Sequence, residues 1–487
     1  LVGGTFATNR KHLNDAMQKR KYRGGYHHLL RATPQILDKL RLPKLRFSPT
    51  PAHIPATRIN PKAFPGCFSS KISRTRGGGH AVFQTLAQKK MAKTMEAGAV
   101  PDRSLWQCGG RGKRAGKKLG EELSSRLVLM DEAPDCLVSA SLCQPITDAL
   151  VKYDGPIQIG RSYYYGNFKK HVNHWSKMEH VKTTDTKSFD SSTPEELIVY
   201  SFALLSTCYP DTPETEKLFL QECSHLLFKN VITPGGYVYR LYKGVPSGSP
   251  WTSILDSIAN FSAFYTSLAH AKGDASAFNA DIVTAGDDIK IGWLNHTFAP
   301  TTAKLIKVVR FLWGYEVVRE GTGEGFFTSA WPDQCASFLA TIFPSGLPGM
   351  HLGRAVAMWV VHTTKRRYDP HVEAQAWDFM SNSPPFTLAA GALRKAFMQF
   401  CFSKLPGMAF SDPAAYQEVH DTMYTMAAVN YLSDHTPFTY KNFEVERQTK
   451  RMRVDMSEYD SIGFKKTCPP TRAQQRAYNQ LRSYFPQ

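Results

Sequence analysis

Three short segments carry side chains that can do chemistry together. Asp185-Thr186-Lys187-Ser188-Phe189-Asp190 sets two carboxylates five residues apart, at the end of a β-like stretch over 180–185. Gly244-Val245-Pro246-Ser247-Gly248-Ser249-Pro250-Trp251-Thr252 is a small-residue loop running into a helical pattern. Gly286-Asp287-Asp288 sits inside an apolar alternating stretch over 282–293, which reads as a hairpin with its turn at the acidic pair. Each segment alone has a plain structural explanation, because Asp at a strand end caps helices and Gly-Asp suits a tight turn. Together they say more. Carboxylates at the ends of neighbouring strands, Asp185 and Asp287, can share two Mg²⁺ ions about 3.5–4 Å apart. That arrangement serves in-line displacement at phosphorus, with one ion activating an attacking hydroxyl and the other screening a leaving pyrophosphate. Mg²⁺ is the expected cofactor, with Mn²⁺ as its substitute.

These segments need elements to hold them. After the 180–185 strand, Thr193-Pro194-Glu195-Glu196 reads as a helix start, with Thr193 as cap, Pro194 in the first turn and Glu196 three after the cap. A strand is expected over 237–242, a loop over 244–249, a helix over 252–264 and another over 304–313. In the 252–264 helix, Thr252, Asp256 and Asn260 recur every four residues as a polar stripe between Ile254, Leu255, Ile258 and Phe261. Hydroxyl and amide groups so placed can hydrogen-bond a ribose 2′-OH, the group that distinguishes RNA building blocks from DNA ones.

The chain has 487 residues, 42% hydrophobic and 21% charged, which excludes low-complexity disorder and favours two or three lobes. No apolar run reaches the roughly 18 residues a membrane-spanning helix needs, and no secretory signal is expected. Nine Cys without a CxxC pair argue against a disulfide framework or a Cys-rich zinc module. The histidines His27, His28, His171, His174 and His180 lack partners at zinc spacing. The net charge of +19 is concentrated: residues 1–130 hold 26 basic against 6 acidic residues, and the remainder holds 34 against 35. A polyanionic partner is therefore expected at the first quarter. There, prolines punctuate 43–61 as an extended arm, and the Gly-rich basic segments 74–80 and 109–118 read as loops whose backbone can approach phosphate. The second is not a Walker A loop, since Lys118 stands where Ser or Thr is required.

The order Asp-x₄-Asp, Ser-Gly-x₃-Thr with Asn eight residues after the Thr, then Gly-Asp-Asp resembles motifs A, B and C of viral RNA-dependent RNA polymerases. The stretch GVPSGSPWTSILDSIAN (244–260) and the AGDD at 285–288 look most like the partitivirus and picobirnavirus group of double-stranded RNA viruses. Tyr163, Tyr164, Tyr165, Gly166 and Phe168 share that group's flavour, and the resemblance covers about 126–345.

The resemblance implies an α+β right-hand polymerase of fingers, palm and thumb, with an antiparallel palm sheet and a mostly helical thumb. Residues 1–150 would be the basic arm and fingers, 151–205 the palm with motif A, and 206–239 a fingers insertion. Residues 240–345 would complete the palm, and 346–487 would be the helical thumb and C-terminal region. By the same resemblance Asp185 and Asp287, assisted by Asp288, hold the metals. Asp190 and Asn260 sense the 2′-OH, while Ser247, Gly248 and Thr252 shape the nucleotide pocket. Arg126 lies over the incoming triphosphate, where a bidentate guanidinium is suited. Lys113, Arg114, Lys117 and Lys118 are expected to contact RNA, and Lys113, Arg114, Lys117 or Lys118 to supply the charge that Ser124 does not. The general-acid lysine expected over 315–323 is absent, leaving Arg319 there and Lys304 or Lys307 on the preceding helix. The turn at Ser337-Phe338-Leu339 stands where a primer grip would be.

The implied function is RNA-templated RNA synthesis, with template and product RNA, NTPs and a capsid protein as partners and no membrane. The expected place is the host cytoplasm, within a virion or replication complex. A reverse transcriptase-like polymerase shares the paired carboxylates, and a non-catalytic viral RNA-binding protein would share the charge.

Overall fold

The computed structural model describes residues 12–14, 16–17, 24–96, 105–111, 126–153, 155–160, 167–233, 236–328, 335–339 and 341–343. Lys113, Arg114, Lys117, Lys118, the Tyr163-Tyr164-Tyr165-Gly166 run and the whole of 346–487 lie outside them. For Arg126 and Arg319 the backbone alone is described.

In chain order the first half holds α1 (Gly25–Leu40), α2 (His80–Met95), β1 (Leu105–Arg111), β2 (Arg126–Met130), α3 (Ala133–Lys152), α4 (Asn167–Trp175), β3 (His180–Thr186), the single-turn α5 (Phe189–Ser192) and α6 (Glu195–Ser206). The second half holds α7 (Pro213–Leu227), β4 (Lys229–Ile232), β5 (Val238–Leu241), α8 (Thr252–Lys272), α9 (Asp274–Phe278), β6 (Ala280–Ala285), β7 (Asp288–Trp293), α10 (Thr302–Trp313) and β8 (Val317–Gly325). No helix among the described residues is long and apolar enough to cross a membrane.

Two four-stranded sheets organise these elements. One has the order β6-β7-β3-β8 and is antiparallel throughout. Its central ladder runs from His180 opposite Trp293 to Thr184 opposite Ile289, so Asp185 and Asp288 come next at the end of the paired region. The other has the order β2-β1-β4-β5, joining β1 and β2 to β4 and β5. Such long-range pairing is invisible to local pattern.

Helix α8 is the axis of the core. Ile254, Leu255, Ile258, Phe261, Phe264 and Leu268 recur at three- and four-residue spacing, and nearly every residue from Ile254 to Leu268 is buried. A helix buried on all sides packs against several neighbours, here β6, α1, α6, α9 and α10. Several of its buried hydroxyls are satisfied on the helix itself: Ser257 donates to the Ser253 carbonyl, and Ser267 to that of Ala263. It ends at Gly273, whose φ of +95° suits glycine. The helix therefore outruns the sequence expectation by two turns, because only a residue that leaves helical space stops it.

Three local expectations are corrected. Pro194, not Thr193, occupies the cap of α6; the Thr193 hydroxyl donates to the Phe189 carbonyl at 3.0 Å instead. Gly109, Gly110 and Arg111 belong to β1 rather than to a loop. A Cβ at Gly109 would meet the terminal methyl of Met130 at 2.8 Å, the movable end of a side chain on β2. The proline-rich arm contains a 3₁₀ turn, Pro51–Ala56, closed by Thr50 and the His53 ring.

Candidate functional site

Strand β3 delivers Asp185. Along its end Thr184 and Thr186 are buried and Asp185 is exposed, as the two-residue period of a strand requires. The β3–β8 register shifts between Thr183 and Asp185, an irregularity of the kind that re-aims a side chain beside a site. Immediately after, Ser188 adopts φ +52°, a strained conformation for a residue other than glycine, and turns the chain into α5 with Asp190.

The β6–β7 hairpin delivers Asp287 and Asp288, both exposed. Ala285 pairs with Asp288, so Gly286 and Asp287 form a two-residue turn, and Gly286 takes φ +67°. Helix α8 grips this turn from below. The Gly286 N–H donates to Ser257 Oγ at 2.8 Å, and the Asn260 side-chain amide donates to the carbonyls of Gly286 and Asp287 at 3.1 and 2.9 Å. Thr284 Oγ1 donates to the Ser257 carbonyl at 3.0 Å. Asn260 is fully buried and so belongs to the support of the acidic turn. The Asn260 amide donates to this turn and not to Asp190, the residue with which the resemblance groups it.

Asp256, one turn earlier on α8, takes that place. Burial, the charges of Asp190 and Asp287 and a side-chain interaction with Asp190 hold the pKa of its carboxyl well above the ordinary range. A neutral carboxylic acid donates a hydrogen bond to an ionised neighbour where two carboxylates would repel. Asp190 also accepts from Ser247 Oγ. Sequence reasoning placed Asp256 in the polar stripe but gave it no role. Ser257 was missed altogether, since a serine on a buried helix carries no signal of its own.

The loop before α8 is fixed on both sides. Val245 N–H donates to the Asp190 carbonyl at 2.7 Å and Gly244 N–H to the Thr193 carbonyl at 2.8 Å. A Cβ at Gly248 would fall 2.1 Å from the Leu129 carbonyl of β2, so the loop touches the second sheet through a position only glycine can fill. The Thr252 hydroxyl donates within the loop, to the Pro246 and Ser249 carbonyls. Arg126 begins β2 opposite Arg111. Arg319 lies in β8, and Lys307 is exposed on α10.

The sequence profile described as "Viral RNA-dependent RNA polymerase" matches residues 80–341, more than half of the chain. The chain belongs to that family. Among solved structures, the RNA-dependent RNA polymerase of a human picobirnavirus is similar over 87% of this chain and 78% of its own, at 12% identity and a TM-score of 0.57. Its insertion-loop deletion mutant is similar over 85% of this chain and 78% of its own, at 13% identity and the same TM-score. At that identity the likeness is one of fold, and the fold is the right-hand polymerase fold. The genome polyprotein of Norovirus (Norwalk strain) is 25% identical over 165 residues, covering 32% of this chain and 9% of the polyprotein. The chain thus spans less than a tenth of that relative.

A second cluster of titratable groups in this chain lies elsewhere. Asp131, Asp135 and His225 are buried with ligand atoms within 4.8 Å of one another. His225 Nε2 is 2.9 Å from Asp131, and Asp135 is paired with the Lys90 ammonium. Cationic partners already neutralise this cluster, so it reads as a buried ion-pair network at the end of β2. Asp185, Asp287 and Asp288 differ: they are exposed hard oxygen donors on adjoining strand ends, the set Mg²⁺ prefers.

Proposed function

We propose that the protein is an RNA-directed RNA polymerase, forming phosphodiester bonds at the carboxylates of Asp185 and Asp287 with Asp288 beside them. The convergence of β3 and the β6–β7 turn, which brings these side chains to one edge of the sheet, carries the reading. Mg²⁺ ions held there would supply Lewis-acid activation of the nascent 3′-OH and screen the triphosphate. The chain's own residues do the positioning. Ser257 and Asn260 fix the acidic turn; Asp190, oriented by Ser247 and Asp256, faces the ribose. Gly248 lets the loop lie against β2, whose first residue, Arg126, would meet the triphosphate. The basic 109–118 segment, with Lys113, Arg114, Lys117 and Lys118, would neutralise template phosphates.

On this reading residues 1–150 and 206–239 build the fingers around the β2-β1-β4-β5 sheet, 151–205 and 240–345 the palm, and 346–487 the thumb. Template and product RNA and NTPs are the partners, within a virus particle or replication complex in the host cytoplasm, with a capsid protein beside it.

The test against a reverse transcriptase is sugar choice on an RNA template. A site built to hydrogen-bond the 2′-OH loses about 1–3 kcal/mol when that group is missing, roughly 5- to 150-fold in discrimination. The wild type should prefer NTPs by that margin and Asp190→Ala should lose most of it. Equal use of dNTPs by the wild type would overturn the reading.

A further inference from the structure

Residues 315–323 contain no lysine, yet a cation stands beside the acidic edge. We propose that Lys187 is a ligand for the β- and γ-phosphates of the incoming NTP, parked on Glu316 while the site is empty. The inference rests on the polymerase reading above and assigns a triphosphate contact within it.

The geometry comes from the strand. The β3–β8 ladder pairs Asp185 with Val318 and Thr186 with Val317, and the Lys187 N–H continues it by donating to the Glu316 carbonyl at 2.9 Å. Lys187 is the first residue of the turn past β3, and the exposed residues Asp185 and Lys187 flank buried Thr186. Residues two apart on a strand are about 7 Å apart along it, close to the reach of a lysine side chain. On the proposed reading, a triphosphate whose α-phosphorus sits at Asp185 and Asp287 would run its β- and γ-phosphates toward the end of β3. Lys187 is placed to meet them. Ser188, at φ +52°, turns the chain away immediately afterwards.

Its present partner is weakly held. Lys187 Nζ lies 3.3 Å from Glu316 Oε2, and the two side chains are 48% and 67% exposed. An ion pair this exposed contributes little to stability, so a triphosphate can take the ammonium from Glu316. A pair serving only to pin β3 to β8 would add little to what the backbone ladder already provides.

Two measurements test the assignment: binding of inorganic triphosphate with Mg²⁺, which needs no turnover, and the KM for NTP in primer extension. Lys187→Met should weaken triphosphate binding and raise KM by about 10- to 100-fold, the loss expected for a charge-assisted contact. Lys187→Arg should stay within about threefold of wild type, since it keeps a cation of similar reach. Glu316→Gln, which frees the lysine, should bind triphosphate at least as tightly as wild type. Wild-type affinity in Lys187→Met, or an equal loss in Glu316→Gln, would overturn the assignment and leave the pair as a surface pin. A wild-type protein that binds triphosphate but makes no RNA would count against the polymerase reading instead.

Discussion

Asn260 and Asp287 are joined by a 2.9 Å hydrogen bond from the side-chain amide to the backbone carbonyl. A residue expected from resemblance to read the sugar thus fixes the turn that presents the acidic pair. Both of its donor hydrogens are used, on Gly286 and Asp287.

Replacing Asn260 with Ala should therefore act on the turn. It strands two carbonyls against the helix, at a cost of about 1–3 kcal/mol each if they stay unpaired. Thermal melting should fall, RNA synthesis should drop, and the NTP-over-dNTP preference should be retained. A variant that melts like wild type but accepts dNTPs freely would return Asn260 to the sugar.

Asp256 gives a pH signature. Its folded pKa is raised above the unfolded value of 3.8 by burial and by Asp190 and Asp287. Its contribution to stability is thus fully present below that value and is lost as pH rises toward the folded pKa. Asp256→Asn keeps a donor for Asp190 without an ionisable group. The melting temperature of this variant relative to wild type should climb from pH 4 toward neutrality, and a flat difference would show that Asp256 ionises as freely folded as unfolded.

Gly248→Ala places a methyl group 2.1 Å from the Leu129 carbonyl, a backbone atom that cannot swing aside. Either the loop or β2 must move, which typically costs about 1–3 kcal/mol. Because the same loop carries Ser247 to Asp190, RNA synthesis should fall further than stability alone explains. Wild-type activity at a temperature where the variant is folded would show that the loop need not touch β2.

The parts of this site that were legible in the sequence are those whose chemistry is local. Asp185, Asp287 and Asp288 announce themselves through strand-end and turn patterns, and the Ser247-Gly248 loop through its composition. What Asp256 and Asn260 touch was not legible. Both lie on one stripe of α8, and which of them meets Asp190 depends on how that helix is rotated against β6. Periodicity does not encode that rotation. Gly109 and Gly110 misled for a related reason: a Gly-rich basic run reads as a loop, while the pairing that makes it a strand comes from Val128 and Leu127 of β2. The pairing of β1 with β4 rests on contacts more than a hundred residues apart, beyond any local signal.

The most direct test of the whole account is single-nucleotide extension on a primed RNA template with Mg²⁺, comparing wild type with Asp185→Asn and Asp287→Asn. Each substitution keeps side-chain size and removes a charge needed to hold the metal. Wild type should add the templated NTP, and both variants should fold normally and lose at least about a hundredfold in rate, the scale of removing a metal-held transition state. Activity within tenfold of wild type in either variant would contradict the assignment of these carboxylates.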